Sequence, residues 1–229
     1  MDPVLSLIIV ILLSYLLGGI PSGVIVSKTF CGFDIREKGS GNMGSTNAFR
    51  VLGVKWGSVV QVADLLKGLL AVLLIAQLFN TDNLFSSDIA ENSMIVQIIA
   101  GISAVLGHIF SIYVKFKGGK GISTAGGMLF GVAPVDATIA IILFIIIIIL
   151  TGYVSIGSMT AAITIPVSVL IRHLFFGHEV PGFNVLIYFL MALAVMLILA
   201  HISNIKRLIN GTENRFDKIR IFKKQDKEK

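Results

Sequence analysis

Residues 137–150 carry a single polar side chain, Thr138, and their centre is an unbroken run of isoleucines from Ile145 to Ile149. A helix built from such a run is apolar on every face, so it needs either a large protein core or lipid around it. Comparable runs recur at residues 4–27, 54–79, 93–114, 159–176 and 183–200. A bilayer core takes roughly 20 apolar residues per crossing helix. Only 14% of the chain is charged, against about 25% in soluble domains. In lipid a spanning backbone must satisfy its own hydrogen bonds, which leaves helices or closed barrels, and runs of this length select helices. The expectation is an all-α, polytopic integral membrane bundle forming one domain over residues 1–229, with a basic tail at 206–229.

The boundaries refine that expectation. Asp2 stands where a secretory signal would carry a basic segment, and no small-residue cleavage site follows the first run, so the first span is expected to stay. Gly18-Gly19-Ile20-Pro21 predicts a kink near its end. Residues 124–134 are only marginally long for a span, and Asp136 is read as the turn before the next one.

Cations set the orientation. Lys28, Arg36, Lys38, Arg50 and Lys55 flank the polar island at 28–53, and Lys115, Lys117 and Lys120 lie in the island at 115–123. Nine of the 19 Lys and Arg residues follow Ala200, whereas the loop at 80–92 has Asp82, Asp88 and Glu91 and no cation. The consistent solution places the N-terminus outside, the polar islands and C-terminus inside, and seven spans, with 124–150 as a short hairpin.

Four polar islands then carry whatever chemistry there is. The first reads Gly39-Ser40-Gly41-Asn42-Met43-Gly44-Ser45-Thr46-Asn47-Ala48-Phe49-Arg50. Its G-x-G-x-x-G spacing matches a dinucleotide fingerprint, and Asp64 even lies twenty residues further on. That motif needs a β-strand before it and a helix within a βαβ unit after it, and membrane spans flank this one. What remains is a glycine-dense anion cradle with Arg50 available for bidentate phosphate contact. The second island, Phe116-Lys117-Gly118-Gly119-Lys120-Gly121, alternates glycines with cations, which suits phosphate better than a plain positive anchor does. It lacks Walker A spacing, so ATP hydrolysis is not expected. The third holds Ser155 and Ser158, and the fourth holds His201, Asn204 and Arg207 on one helix face, with Glu213 beyond as a salt-bridge partner. Asp64 and Lys67 read as a neutralising i, i+3 pair inside a span. His108 reads as interfacial, and His173 and His178 are given no role.

Several chemistries are excluded. One cysteine, Cys31, allows no internal disulfide, and the four histidines share no tight ligand spacing except His173 and His178, five apart, so a zinc site lacks ligands. No Ser-His-Asp set can be drawn from the islands, and no histidine has an aspartate five positions on. No cofactor, metal or nucleic-acid partner is expected. A small transporter for an anionic solute is the alternative, with Asp64 and Lys67 as its relay.

Taken in order, Gly39 to Asn47 with Arg50, then Gly107-His108 leading to Phe116-Lys-Gly-Gly-Lys-Gly121, then His201-x-x-Asn204-Ile-x-Arg207-Leu with Gly211-x-Glu213, resemble the three signatures of the bacterial acyl-phosphate:glycerol-3-phosphate acyltransferases, the PlsY family. The likeness spans nearly the whole chain, and it departs from the pattern at Ser111, where the family usually shows proline. It implies seven membrane helices in the bacterial cytoplasmic membrane, with the motifs facing the cytosol. It also implies transfer of an acyl group from acyl phosphate to the 1-hydroxyl of glycerol 3-phosphate, giving lysophosphatidate and phosphate, with membrane lipids and the enzyme that supplies acyl phosphate as partners. Matched onto this chain, Ser40, Arg50, His201 and Asn204 are the implied catalytic residues. Gly39, Gly41, Asn42, Gly44, Thr46, Asn47, Lys117, Gly118, Gly119, Lys120, Gly121, Ser155 and Ser158 are the implied substrate-binding residues, and Glu213 is structural. Either His201 or the acceptor's own phosphate then takes the hydroxyl proton.

Overall fold

A computed structural model describes residues 2–213; most of the expected basic tail, 214–229, lies outside the described residues. All regular structure among the described residues is helical. The chain divides into two compact units, Met1–Val132 and Ala133–Lys229.

The first unit holds α1 (Pro3–Gly19), α2 (Ser22–Cys31), α3 (Ser45–Leu73), α4 (Ile89–Ile109) and α5 (Ile122–Val132). Asp2 caps α1 by accepting from the Val4 and Leu5 N–H groups, and Pro3 starts the helix where its missing N–H costs nothing. The expected kink appears as the α1/α2 break at Ile20-Pro21. One boundary differs from expectation. The first island is not a loop up to Gly53, because α3 starts at Ser45 and carries Thr46, Asn47 and Arg50 on its first turns. Gly44, in extended conformation, starts the helix, and Gly53, at φ +80° and ψ −179°, interrupts it where no other residue would sit without strain. A Cβ on Gly68 would lie 1.9 Å from the Thr124 carbonyl oxygen, and one on Gly127 would lie 1.8 Å from that of Leu65. The backbones of α3 and α5 therefore touch, in the small-residue manner of membrane helices.

The second unit holds α6 (Pro134–Thr151), α7 (Val154–Leu174), α8 (Phe183–Ala200) and α9 (Ile202–Ile209). Asp136 is not a turn residue. The chain turns at Ala133, Pro134 opens α6, and Asp136 lies buried in its first turn. There its carboxylate accepts from Ser168 Oγ at 2.8 Å and lies 3.3 Å from Arg172 Nη2, tying the start of α6 to the end of α7. His173 stacks on Phe183 with ring centroids 3.8 Å apart, joining α7 to the start of α8.

Six stretches among the described residues are long and apolar enough to cross a membrane: Pro3–Cys31, Ser45–Gln77, Ile89–Val114, Pro134–Thr151, Val154–Leu174 and Phe183–Ala200. The marginal segment at 124–134 is the short helix α5, whose 11 residues rise only about 16 Å at 1.5 Å each.

Candidate active site

The first-island loop is built by its own asparagines. Asn47 is buried, and its Nδ2 donates to the carbonyls of Ile35 (3.2 Å), Lys38 (3.1 Å) and Asn42 (2.8 Å), while its Oδ1 accepts the Ser40 N–H at 2.9 Å. Asn42 Oδ1 accepts the Gly44 N–H at 2.8 Å. Gly39 takes φ +64° and has no room for a Cβ, which would fall 2.2 Å from Asn47 Oδ1. The polar atoms of Asn47 are thus engaged in shaping the loop, which leaves Ser40 exposed at its tip and Arg50 exposed on α3.

The second island is held from below. The Gly118 N–H donates to the Ile109 carbonyl and the Gly119 N–H to that of His108, both at 3.0 Å. A Cβ on Gly118 would lie 2.0 Å from the His108 carbonyl oxygen, and one on Gly119 would lie 2.0 Å from His108 Nε2. These two glycines therefore serve close approach to the end of α4, and their N–H groups are not turned to an anion as the alternation of glycine and lysine suggests. Ser111 occupies φ −66°, a value proline also takes. Its hydroxyl donates to the Gly19 carbonyl of α1.

Between the two islands lies a cavity lined by Ser40, Asn42, Thr46 and Arg50 on one side and by Lys120, Gly121 and Ser123 on the other. Gly44, Ser45, Asn47 and Ile122 also border it. The N-terminal ends of α3 and α5 meet here, with Ser45 Oγ and Ser123 Oγ 3.2 Å apart and Ser123 donating to Gln61 Oε1 at 3.1 Å. A helix leaves its first N–H groups without internal acceptors and carries partial positive charge at that end. Two such ends, an arginine and a lysine give the cavity a positive lining suited to an anion.

Lys117 lies elsewhere. It borders a second cavity with Gly41, Asp34, Arg36 and Glu37, where two positive and two negative groups oppose each other. Arg36 is already committed there. It holds Asp34 through Nε at 3.0 Å and Nη2 at 2.7 Å, and with Lys28 it keeps that carboxyl far below the usual carboxylate range. Arg36 is raised in return by Asp34.

Two residues at the inner end of the first cavity were not assigned to a site by the sequence. Asp64 (1% exposed) and His108 (3% exposed) both line it. Asp64 pairs with Lys67 at 2.7 Å as expected, and Lys67 also donates to the Ile20 carbonyl at the α1/α2 break. His108 is buried rather than interfacial, with Nδ1 3.7 Å from Asp64 Oδ1. A carboxylate–histidine pair therefore exists beside the anion site, although none could be drawn from the islands.

The second unit assembles its own polar cluster. Glu213 accepts from Asn204 Nδ2 at 2.8 Å and from Arg207 Nε at 2.7 Å, so α9 and the residues after it close on one carboxylate. Those two hydrogen bonds, Asn204 first, hold the Glu213 carboxyl below its usual value. His201, between α8 and α9, bonds through Nδ1 to the Leu197 carbonyl at 2.8 Å. A carbonyl only accepts, so Nδ1 carries the proton and a neutral ring keeps its lone pair on Nε2. Ser155 is buried in the first turn of α7, and Ser158 donates to the Val154 carbonyl at 3.0 Å.

Apolar helices of spanning length, with a cavity lined by helix ends and cations, define an all-α integral membrane protein whose cavity lining suits a phosphate or carboxylate group. The family model described as glycerol-3-phosphate acyltransferase matches residues 8–211, and the chain belongs to that family. Glycerol-3-phosphate acyltransferase of Chlorobium phaeobacteroides (strain BS1) is 40% identical over 92% of this chain and 96% of its own length. That of Chlorobaculum parvum is 43% identical over 92% and 97%. Among solved structures, PlsY (YgiH), an integral membrane glycerol 3-phosphate acyltransferase in its glycerol 3-phosphate form, is 32% identical with a TM-score of 0.68, covering 93% of this chain and 97% of that one. The lysophosphatidic acid form of the same protein gives 31% and 0.67.

Proposed function

We propose that this protein transfers an acyl group from acyl phosphate to the 1-hydroxyl of glycerol 3-phosphate. The hydroxyl oxygen bonds to the acyl carbon, the acyl–phosphate C–O bond breaks, and lysophosphatidate and inorganic phosphate leave. The observation that carries the reading is the cavity where Arg50, Lys120 and the starts of α3 and α5 converge beside Ser40. Acyl phosphate is a mixed anhydride with a good leaving group, so holding two anions together and neutralising their charge supplies most of what is needed. Neither a covalent intermediate nor a cofactor is required.

Ser40 and Arg50 act on the first cavity; His201 and Asn204 are the other two catalytic residues that the family likeness implies. The hydroxyl proton goes to the acceptor's phosphate or to His201 Nε2, the nitrogen left free by the Leu197 contact. Both units form one acyltransferase domain with seven crossings, in which α5 serves as a short one. The N-terminus lies outside, and the site faces the cytosol of a bacterial cytoplasmic membrane. The enzyme that makes acyl phosphate is the natural partner.

The test uses protein purified in detergent with palmitoyl phosphate and glycerol 3-phosphate, following phosphate release and lysophosphatidate. Turnover lost in Ser40→Ala and Arg50→Ala is the expected result. Release no faster than in those variants, or turnover with acyl-CoA in place of acyl phosphate, refutes the reading.

A further inference from the structure

The Asp64–His108 pair is not used by the reaction as proposed, yet it is the most deeply buried ionisable group bordering the anion cavity. His108 Nδ1 makes no hydrogen bond among the described residues, and the carboxylate it faces is Asp64, 3.7 Å away. A buried ring nitrogen without a hydrogen-bond partner is costly, and the polar group nearest to offset that cost is the Asp64 carboxylate. On its other edge, Nε2 lies against the Gly119 backbone, with no room for a methyl group between them. Its carbonyl accepts the Gly119 N–H. His108 therefore meets the second island twice, through main chain and ring, one residue before Lys120.

Asp64 is itself anchored. Its Oδ1 accepts Lys67 Nζ, and Lys67 donates also to Ile20. A chain of contacts thus runs from the α1/α2 break through α3 to the ring of α4 and on to the loop that presents Lys120. The single cationic side chain in that loop bordering the anion cavity is Lys120, so a shift of Gly119 moves it directly.

We propose that His108 is a positioning residue. Its ring, directed by Asp64 with Nδ1–H toward the carboxylate, seats the 117–121 loop so that Lys120 meets the anion. The inference rests on the first cavity binding a phosphate group, and not on which acyl donor is used. It distinguishes two replacements of similar polarity. An asparagine amide reaches the position of Nδ1, on the Asp64 side, and leaves the edge against Gly119 empty. A glutamine amide reaches the position of Nε2 and keeps the edge on which the loop is seated.

The test is calorimetric binding of inorganic phosphate to the full chain in detergent, with kcat and KM for glycerol 3-phosphate measured in parallel. His108→Ala and His108→Asn should each weaken phosphate binding about 10-fold, the size of one charge-assisted contact. His108→Gln should stay within about 3-fold of the parent, and KM for glycerol 3-phosphate should follow phosphate binding in all three. Asparagine and glutamine behaving alike overturns the proposal, as does unchanged phosphate binding in every variant. A fall of kcat by about 100-fold with phosphate binding intact and an altered pH–rate limb also overturns it, because His108 would then handle the proton. Parent protein that binds phosphate but does not turn over sinks the acyltransferase reading alone.

Discussion

Asn47→Ala is the sharpest test of how the first island works. In the parent, one buried side chain satisfies four backbone groups: the carbonyls of Ile35, Lys38 and Asn42 and the N–H of Ser40. Removing it deletes two N–H donors shared among three carbonyls and one acceptor, about three full hydrogen bonds at about 1 kcal/mol each in net terms. Lys38 and Ser40 are exposed, so water replaces part of that loss. A cost of about 2–3 kcal/mol to the loop remains, with Ser40 no longer fixed against α3. If that cost falls on transition-state binding, kcat/KM drops roughly 30- to 150-fold. Asn47→Asp should be worse than alanine, because a carboxylate would face three carbonyl oxygens. Steady-state kinetics on detergent-purified variants reads the effect. A double-mutant cycle with Ser40→Ala separates scaffold from contact, and the two changes should be markedly less than additive if Asn47 acts through Ser40. Additive losses, or aspartate outperforming alanine, would refute the scaffold argument and make Asn47 a direct substrate ligand.

Three further outcomes follow from particular contacts. Gly118→Ala and Gly119→Ala put a methyl group about 2.0 Å from His108 atoms, so both should lose activity by displacing the loop, whereas Gly126→Ala, which meets nothing within 4 Å on α5, should keep activity and gain up to about 1 kcal/mol from reduced unfolded-state freedom. Glu213 has its folded pKa depressed below 4.5 by Asn204 and Arg207. Its contribution is therefore present above the unfolded value and lost as pH falls through the folded one. Melting temperatures of the parent and Glu213→Gln should differ at pH 7 and converge only in acid below the ordinary carboxylate range; a gap that persists there counts against the ion pair. Asp136→Ala leaves Arg172, whose side chain is only 23% exposed, without its carboxylate, and should cost about 3 kcal/mol in thermal or denaturant unfolding.

How much of this was readable in the sequence depends on the kind of signal. Apolar runs such as 137–150 announce helices because lipid imposes a length and a composition that need no partner to interpret. That Ser40, Arg50 and Lys120 belong to polar islands that meet at one cavity was legible for a similar reason: glycines and cations between spans stand out against apolar runs. The start of α3 was misread because polarity, taken as the mark of a loop, also suits the first turns of a helix, and Gly44 gives a weak start signal without a side-chain cap. Gly118 and Gly119 looked like anion ligands because spacing along a chain cannot tell an N–H turned to a cavity from one turned to the end of α4. Asp64 and His108 lie 44 positions apart in runs that read only as membrane spans, so no local pattern could bring them together.

Those misreadings share a physical cause, and it bears on how the proposed site holds its anions. The N–H groups of Ser40, Gly41, Gly44, Gly118 and Gly119 are bonded within the protein. The glycine-rich stretches therefore do not work chiefly as open rows of donors. They let the chain fold back tightly enough for the beginnings of α3 and α5 to face one cavity, with Arg50 and Lys120 brought to its edge. Charge stabilisation by fixed dipoles needs no reorganisation when charge moves during acyl transfer, provided the frame is rigid. Rigidity is what Asn47, Asn42 and the glycines packed on His108 supply. The consequence is that losing a scaffold residue that never touches substrate should cost as much as losing one of the cations it holds in place.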